Sequence, residues 1–221
     1  MNNKYELTDE TKMVCGHILH RIKAIVNFAF VKKGEVGGWI ETENNLDQYG
    51  DSWVSGDAEV YGDAWVYGDA WVYGDAMVYG NAMVYGNARV YGNAMVSGNA
   101  MVSGDARVYG DAMVYGNAMV SGNAMVYGDA MVCGKAEVYN DARVCGNDDY
   151  IVFKNCWSSF RWFTYTRSNK KWNVGCFYGT GEELIQKAYA DSEQSGKCYE
   201  AIVRAVEAIE AAKSEAKGET K

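Results

Sequence analysis

Proline is absent from all 221 residues, and histidine occurs only at His17 and His20. The first absence suits an uninterrupted backbone ladder, because proline has no N–H to contribute. The second removes imidazole, as general base or metal ligand, from everything after residue 20. Six cysteines (Cys15, Cys133, Cys145, Cys156, Cys176 and Cys198) show neither a CxxC pair nor metal-ligand spacing. That scatter fits reduced thiols in a cytosol better than a disulfide framework. Clustered basic charge is also missing. The net charge is −8, and residues 49–147, with 11 acids and 4 bases, hold −7 of it. Such a rod is not a general nucleic-acid binder, since phosphate neutralisation needs grouped Lys and Arg. No apolar run reaches the ~20 residues that span a bilayer. Met1-Asn2-Asn3-Lys4 leads into polar residues, and the stretch Ile18–Val31 is broken by His20, Arg21, Lys23 and Asn27. A secretory leader is therefore not expected, and the expected compartment is the cytoplasm. Phosphate loops, GxSxG elbows and calcium-binding glycine-aspartate repeats are lacking too.

What is present is one phrase, Val-Tyr-Gly-Asp-Ala-x, repeated from Tyr49 to Asn147. Valine recurs every six residues from Val54 to Val144, sixteen times without a slip. A fixed short period is the mark of a solenoid. In Ala-x-Val the apolar pair lies two apart, so an extended strand turns both inward and x outward. Tyr-Gly-Asp/Asn supplies the corner, because Gly and Asx tolerate turn geometry. A helix is excluded, since a Gly every six residues would break it and the apolar positions make no stripe at a 3.6 period.

Val60-Tyr61-Gly62-Asp63-Ala64-Trp65 and its neighbours, across residues 49–147, resemble the hexapeptide-repeat family of left-handed parallel β-helices. The resemblance implies an all-β solenoid in which three hexapeptides close one triangular coil, so residues eighteen apart stack. The outward x positions then form three columns. Glu59, Met77, Met95, Met113 and Met131 make the first; Trp65, Met83, Met101, Met119 and Glu137 the second; Trp53, Trp71, Arg89, Arg107, Met125 and Arg143 the third. Contiguous apolar surface marks interfaces, and methionine suits adaptable ones. The two Met columns are thus candidate partner surfaces. Corner columns follow, such as Tyr73, Tyr91, Tyr109, Tyr127, and Asp57, Asp75, Asn93, Asp111, Asp129. The Asx residues are expected to hydrogen-bond their own backbone. Asp57, Asp75, Asp111 and Asp129 are also candidates for partner contact, because an acidic rod about 26 Å long at the usual ~4.8 Å strand spacing could occupy a basic nucleic-acid channel.

The ends differ. Residues 1–48 read as an N-terminal β cap, with a strand through His17–Val26, a turn at Lys32-Lys33-Gly34-Glu35 and an approach to the first coil at Gly37–Ile40. Such a cap is required because a solenoid exposes an apolar cross-section. From residue 148 the composition changes to an α+β cap. Tyr150–Phe153 reads as a strand, and Phe160–Arg167 with Lys170–Phe177 as a hairpin turning at Ser168-Asn169. Thr180 and Glu183 form a capping box opening one helix of about twelve residues. A second helix is expected after Ser195-Gly196, running to about Lys213 with Ile202, Ala205, Val206 and Ile209 on one face. Trp157, Arg161, Trp162, Lys170, Lys171 and Trp172 form an aromatic and basic cluster that could stack on a planar ligand or a single strand. The same residues also make ordinary hairpin core.

Hexapeptide-repeat relatives include acyltransferases and metal-dependent carbonic anhydrases, whose activities rest on histidines at coil corners and on a protruding loop. This repeat has neither, so no enzyme, cofactor or metal is expected. The segments Val31–Glu41, Asp149–Asn155 and Gly175–Leu184 resemble accessory proteins of phages and prophages of gut Firmicutes. That resemblance implies a cytoplasmic phage product. The expectation is a binding protein whose partner is a host or phage protein or ribonucleoprotein complex, for example a CRISPR effector that it inhibits. A degenerate acyltransferase and a self-associating structural rod are the rivals.

Overall fold

The structure is a computed structural model describing residues 4–155 and 160–218, the last three by backbone alone. Strands of two to four residues, such as Trp65–Val66, Met77–Val78 and Arg89–Gly92, stack in three parallel ladders. The register is eighteen: Met95 pairs with Met77 and Met113, Met101 with Met83 and Met119, Arg89 with Trp71 and Arg107. Three hexapeptides therefore close each coil, as the resemblance implies. All sixteen repeat valines and the alanines between them are 0–1% exposed. Burying valine stabilises by roughly 1.5–3 kcal/mol each, so a core of nearly identical layers carries the solenoid. At the corners glycine is obligatory. Gly86 has φ +70, and a Cβ there would lie 3.0 Å from the backbone N of Gly104. Asn140, in the position of a glycine, keeps the corner at φ 56, a region asparagine enters more readily than other side chains.

Hydrogen bonding along the rod has one direction. Each ladder N–H donates to a carbonyl seventeen residues on, in the next coil, as Trp53 to Ala70 and Met95 to Ala112. The first coil is consequently left with unpaired carbonyls and the last with unpaired N–H groups, and both must be satisfied. At the first end, strands β1 (Tyr5–Val14), β2 (His17–Ala24) and β3 (Val36–Ile40) pair antiparallel with one another, and β3 joins one ladder in parallel, giving an eight-stranded sheet. Here the chain supplies donors. Trp39 N–H reaches Ala58 O at 2.9 Å, and Asn45 Nδ2 donates to Gly62 O at 2.9 Å and Ala64 O at 2.8 Å. Arg21 donates to Gly56 O at 2.8 Å, and the buried Lys4 ammonium to Ser52 O at 2.7 Å and Ser52 Oγ at 3.1 Å. At the other end the chain supplies acceptors. Asp149 Oδ2 takes the N–H groups of Cys145 (2.7 Å) and Gly146 (3.0 Å), Ser168 Oγ that of Arg143 and Asn147 Oδ1 that of Met131.

Strand β1 carries no clean alternation and is not predicted from the sequence. It pairs with β2 through an irregularity between Leu7 and Thr11. Trp53, expected to face outward, is fully buried beneath Tyr5 and Phe28, because the cap folds over the first coil of the third column.

The chain divides into two compact units, Met1–Val152 with Thr166–Asn169, and Phe153–Tyr165 with Lys170–Lys221. Strands Tyr150–Lys154, Trp162–Thr166, Lys171–Val174 and Phe177–Gly179 form a sheet in that order. The segment read as one strand to Phe177 is two, because Gly175 turns at φ +59. In the second unit, helix α1 (Gly181–Asp191) opens with the predicted capping box, Glu183 N–H donating to Thr180 Oγ1 at 3.3 Å and Thr180 N–H to Glu183 Oε2 at 2.7 Å. Helix α2 (Glu193–Gly218) starts earlier than predicted and contains Gly196. That glycine is a contact, not a break: a Cβ there would fall 2.2 Å from the Tyr189 ring of α1. The buried face of α2 is Val203 and Val206, while Ala205 and Ile209 are exposed. No helix among the described residues is long and apolar enough to cross a membrane.

Candidate interaction surface

The Met columns stand where the repeat places them. Met77, Met95, Met113 and Met131 lie in register on the sheet that the cap extends, and Met83, Met101 and Met119 on the next. Each is half-buried. The first column is closed at its leading end. Lys12 pairs with Glu59 at 2.7 Å and lies 4.5 Å from the Trp39 ring centroid, with the Arg21 guanidinium 4.6 Å from the same centroid.

Tyrosine rings stack at the coil spacing. Tyr73, Tyr91, Tyr109 and Tyr127 have centroids 4.8, 4.9 and 5.2 Å apart and are within 8° of parallel. Beside the first Met column the ladder is interrupted: Tyr61 and Tyr79 stack at 5.2 Å, then Ser97 intervenes before Tyr115. The missing ring leaves a notch of about 330 Å³ bounded by Tyr79, Met95, Ser97, Met113 and Tyr115. Beside the second Met column the corresponding gap at Ser103 and Ser121 is followed by Tyr139, whose hydroxyl reaches Met119 Sδ at 3.6 Å. Burial pushes the Tyr139 hydroxyl up to about 12.

The Asx columns differ from expectation. Side-chain partners lie one coil away: Asn93 donates to Asp111 at 2.9 Å, Asn87 to Asp105 at 2.9 Å, Asn81 to Asn99 at 3.0 Å. The reason is spacing, for an amide one strand-spacing from a carboxylate or amide oxygen finds a donor–acceptor pair along the rod. Of the four candidate carboxylates, Asp57 is held by Arg21 at 3.2 Å and by Trp39 Nε1 at 3.5 Å. The Trp39 and Arg21 bonds keep its carboxyl below the usual range. Asp111 is taken by Asn93, and Asp75 and Asp129 stand exposed.

The aromatic and basic cluster does not form one surface. Trp172 is 2% exposed, packed on Phe163, Tyr165 and Phe153, so its ring is core and unavailable for stacking on a ligand. Arg161 is exposed, Trp162 half-buried with the Lys154 ammonium 5.8 Å from its centroid, and Lys171 half-buried. Lys170 borders a groove of about 540 Å³ with Tyr165, Val206, Glu207 and Glu210. Trp157 lies outside the described residues.

One pair escaped the sequence. His17 Nδ1 lies 2.9 Å from Glu41 Oε1, its ring 5.1 Å from Tyr61, and Glu41 Oε2 accepts Gly62 N–H at 2.8 Å. The His17 hydrogen bond lowers the Glu41 pKa. The two residues border a cleft of about 490 Å³ with Thr42, Asn44 and Asp63. Their separation of 24 residues carries no motif. His20 lies elsewhere, its Nδ1 3.2 Å from Thr8 O.

Eighteen-residue coils stacked in parallel ladders define a β-solenoid repeat protein. The family model described as the YdcK beta solenoid repeat matches at residues 70–86, 76–89, 88–104, 96–110, 106–122 and 118–134. These overlapping matches stay within the repeat, so the similarity concerns the coils and not the caps. No curated protein matches the chain.

Proposed function

We propose that the protein is a non-catalytic, phage-encoded binding rod that engages a host or phage macromolecular complex through its first Met column. The observation that carries the reading is the column's construction. Met77, Met95, Met113 and Met131 form a flat, in-register ladder, with a ring-sized notch at Ser97 beside it. Flat apolar ladders with relief serve as contact surfaces, and methionine adapts to its partner. Inhibition of a bacterial defence complex such as a CRISPR effector is the role that best suits such a product. Charge mimicry of nucleic acid contributes less, because Asp57 and Asp111 are already engaged within the rod.

The test is affinity capture with the tagged full chain from a lysate carrying defence systems, with a nuclease-treated control. One stoichiometric complex, recovered with nuclease present, supports the reading; recovery of the protein alone contradicts it.

A second reading, an acyl-transfer enzyme, is favoured by the His17–Glu41 pair in its cleft, since a carboxylate at one ring nitrogen orients an imidazole base. Turnover of an acyl donor, abolished in both His17→Ala and Glu41→Gln, would establish it.

A further inference from the structure

On the third column, away from both Met columns, Phe30, Ser55, Trp71, Tyr73 and Arg89 line an open cavity of about 360 Å³. Its roof is a ring held in water. Phe30 is 90% exposed at the tip of a closed turn in which Phe28 and Val31 exchange backbone hydrogen bonds of 3.1 and 2.8 Å and Ala29 has φ 41. Exposing so large an apolar group is unfavourable unless something covers it. Phe30 leans toward Trp71, centroids 6.5 Å apart and planes at 55°, leaving an aromatic cleft instead of a closed stack.

The second wall follows from a missing residue. Tyr91 and Tyr109 each have a ring on both sides, but the coil before Tyr73 presents Ser55 where the next four present tyrosine. Tyr73 is thus stacked on its Tyr91 side only, and its other side borders the cavity. The remaining wall is charged. Arg89 is exposed, pairs in register with Trp71 and Arg107, and has no carboxylate partner among the described residues. Two arginines in register, with no carboxylate partner among the described residues, stand out in a repeat segment of net charge −7.

We infer that this cavity binds a mononucleotide. The base lies between Phe30, Trp71 and the uncovered side of Tyr73, where stacking accepts any base. The phosphate meets Arg89, with Arg107 one coil beyond, because a guanidinium fork matches phosphate oxygens. The volume falls in the range of small-molecule sites, and the acidic corner columns flanking the face disfavour a polynucleotide backbone. This site does not depend on the Met-column reading, and either stands if the other fails.

The test is calorimetric titration of the full chain with AMP and UMP, and with adenosine, inorganic phosphate and an oligonucleotide as comparisons. Ser55→Tyr extends the tyrosine stack into the cavity, and the exposed Arg89→Gln removes the fork without disturbing the core. A saturable site for at least one of the two nucleotides is expected, with adenosine and phosphate each about tenfold weaker or more. Ser55→Tyr should abolish it with Tm equal or higher, and Arg89→Gln should weaken it about tenfold with Tm unchanged. The assignment is overturned if neither nucleotide saturates, if adenosine binds as well as AMP, if the oligonucleotide binds more tightly than either nucleotide, or if neither variant changes the affinity.

Discussion

The residues that decide this structure are the ones that end it. A parallel ladder running one way leaves carbonyls at its first coil and N–H groups at its last, so the two ends need opposite chemistry. Lys4, Arg21 and Asn45 donate at one end, and Asp149, Asn147 and Ser168 accept at the other. Burial opposes the Asp149 charge, yet the hydrogen bonds from Cys145 and Gly146 outweigh it and lower the pKa. Asp149→Ala strands two N–H groups and should cost about 1–3 kcal/mol by denaturant unfolding at pH 7. Because the folded pKa is depressed, the wild type's advantage over Asp149→Ala is full above the unfolded carboxyl range and fades as pH falls through it. An advantage unchanged down to pH 3 would refute this role. None of these residues announces itself in sequence, since each acts on a carbonyl or N–H whose vacancy exists only once the coils are stacked.

At the scale of the element, repetition made the coils legible. Sixteen identical valine positions fix the inward set, and the period fixes which side chains meet. The Asx columns show what the period leaves out. Asn and Asp look interchangeable as corner residues, yet stacked carboxylates one strand-spacing apart repel whereas an amide bridges. Asn93→Asp would place five carboxylates in succession, Asp57 to Asp129, and remove the bond to Asp111. A loss of about 0.5–1.5 kcal/mol is expected, shrinking in high salt; no loss, or one insensitive to salt, would contradict the bridging role. In the second unit Gly196 misled for a similar reason: glycine near a helix start reads as a break, while here it clears space for Tyr189. Gly196→Leu should therefore destabilise the α1–α2 packing, by about 1–3 kcal/mol, although leucine is the better helix former. A stabilised variant in thermal unfolding would show that the glycine is no contact.

For the whole molecule, titration distinguishes two buried groups where the cap meets the first coils, Lys4 and Tyr61. Burial lowers Lys4 from 10.5 to about 8, with Asp47, Asp51 and Asp69 opposing. Between those values the unfolded chain holds more protons, so stability rises with pH and the wild type should gain on Lys4→Met from pH 8 to 10. Burial instead pushes Tyr61 up to about 12 from 10.0. There the folded state holds more protons, so the wild type should lose ground to Tyr61→Phe above pH 10. Opposite slopes in paired urea titrations are expected, and slopes of one sign would refute the assignment.

In the proposed function the first Met column makes the contact. The decisive measurement compares capture by the wild type, by Met95→Glu/Met113→Glu and by Met83→Glu/Met101→Glu, each first shown to keep its fold by circular dichroism. All four side chains are half-buried on their faces, so the two pairs perturb the rod alike. The first pair should lose the partner at least tenfold while the second keeps it, a difference of about 1.4 kcal/mol or more. Equal retention by both pairs, or equal loss, would contradict it.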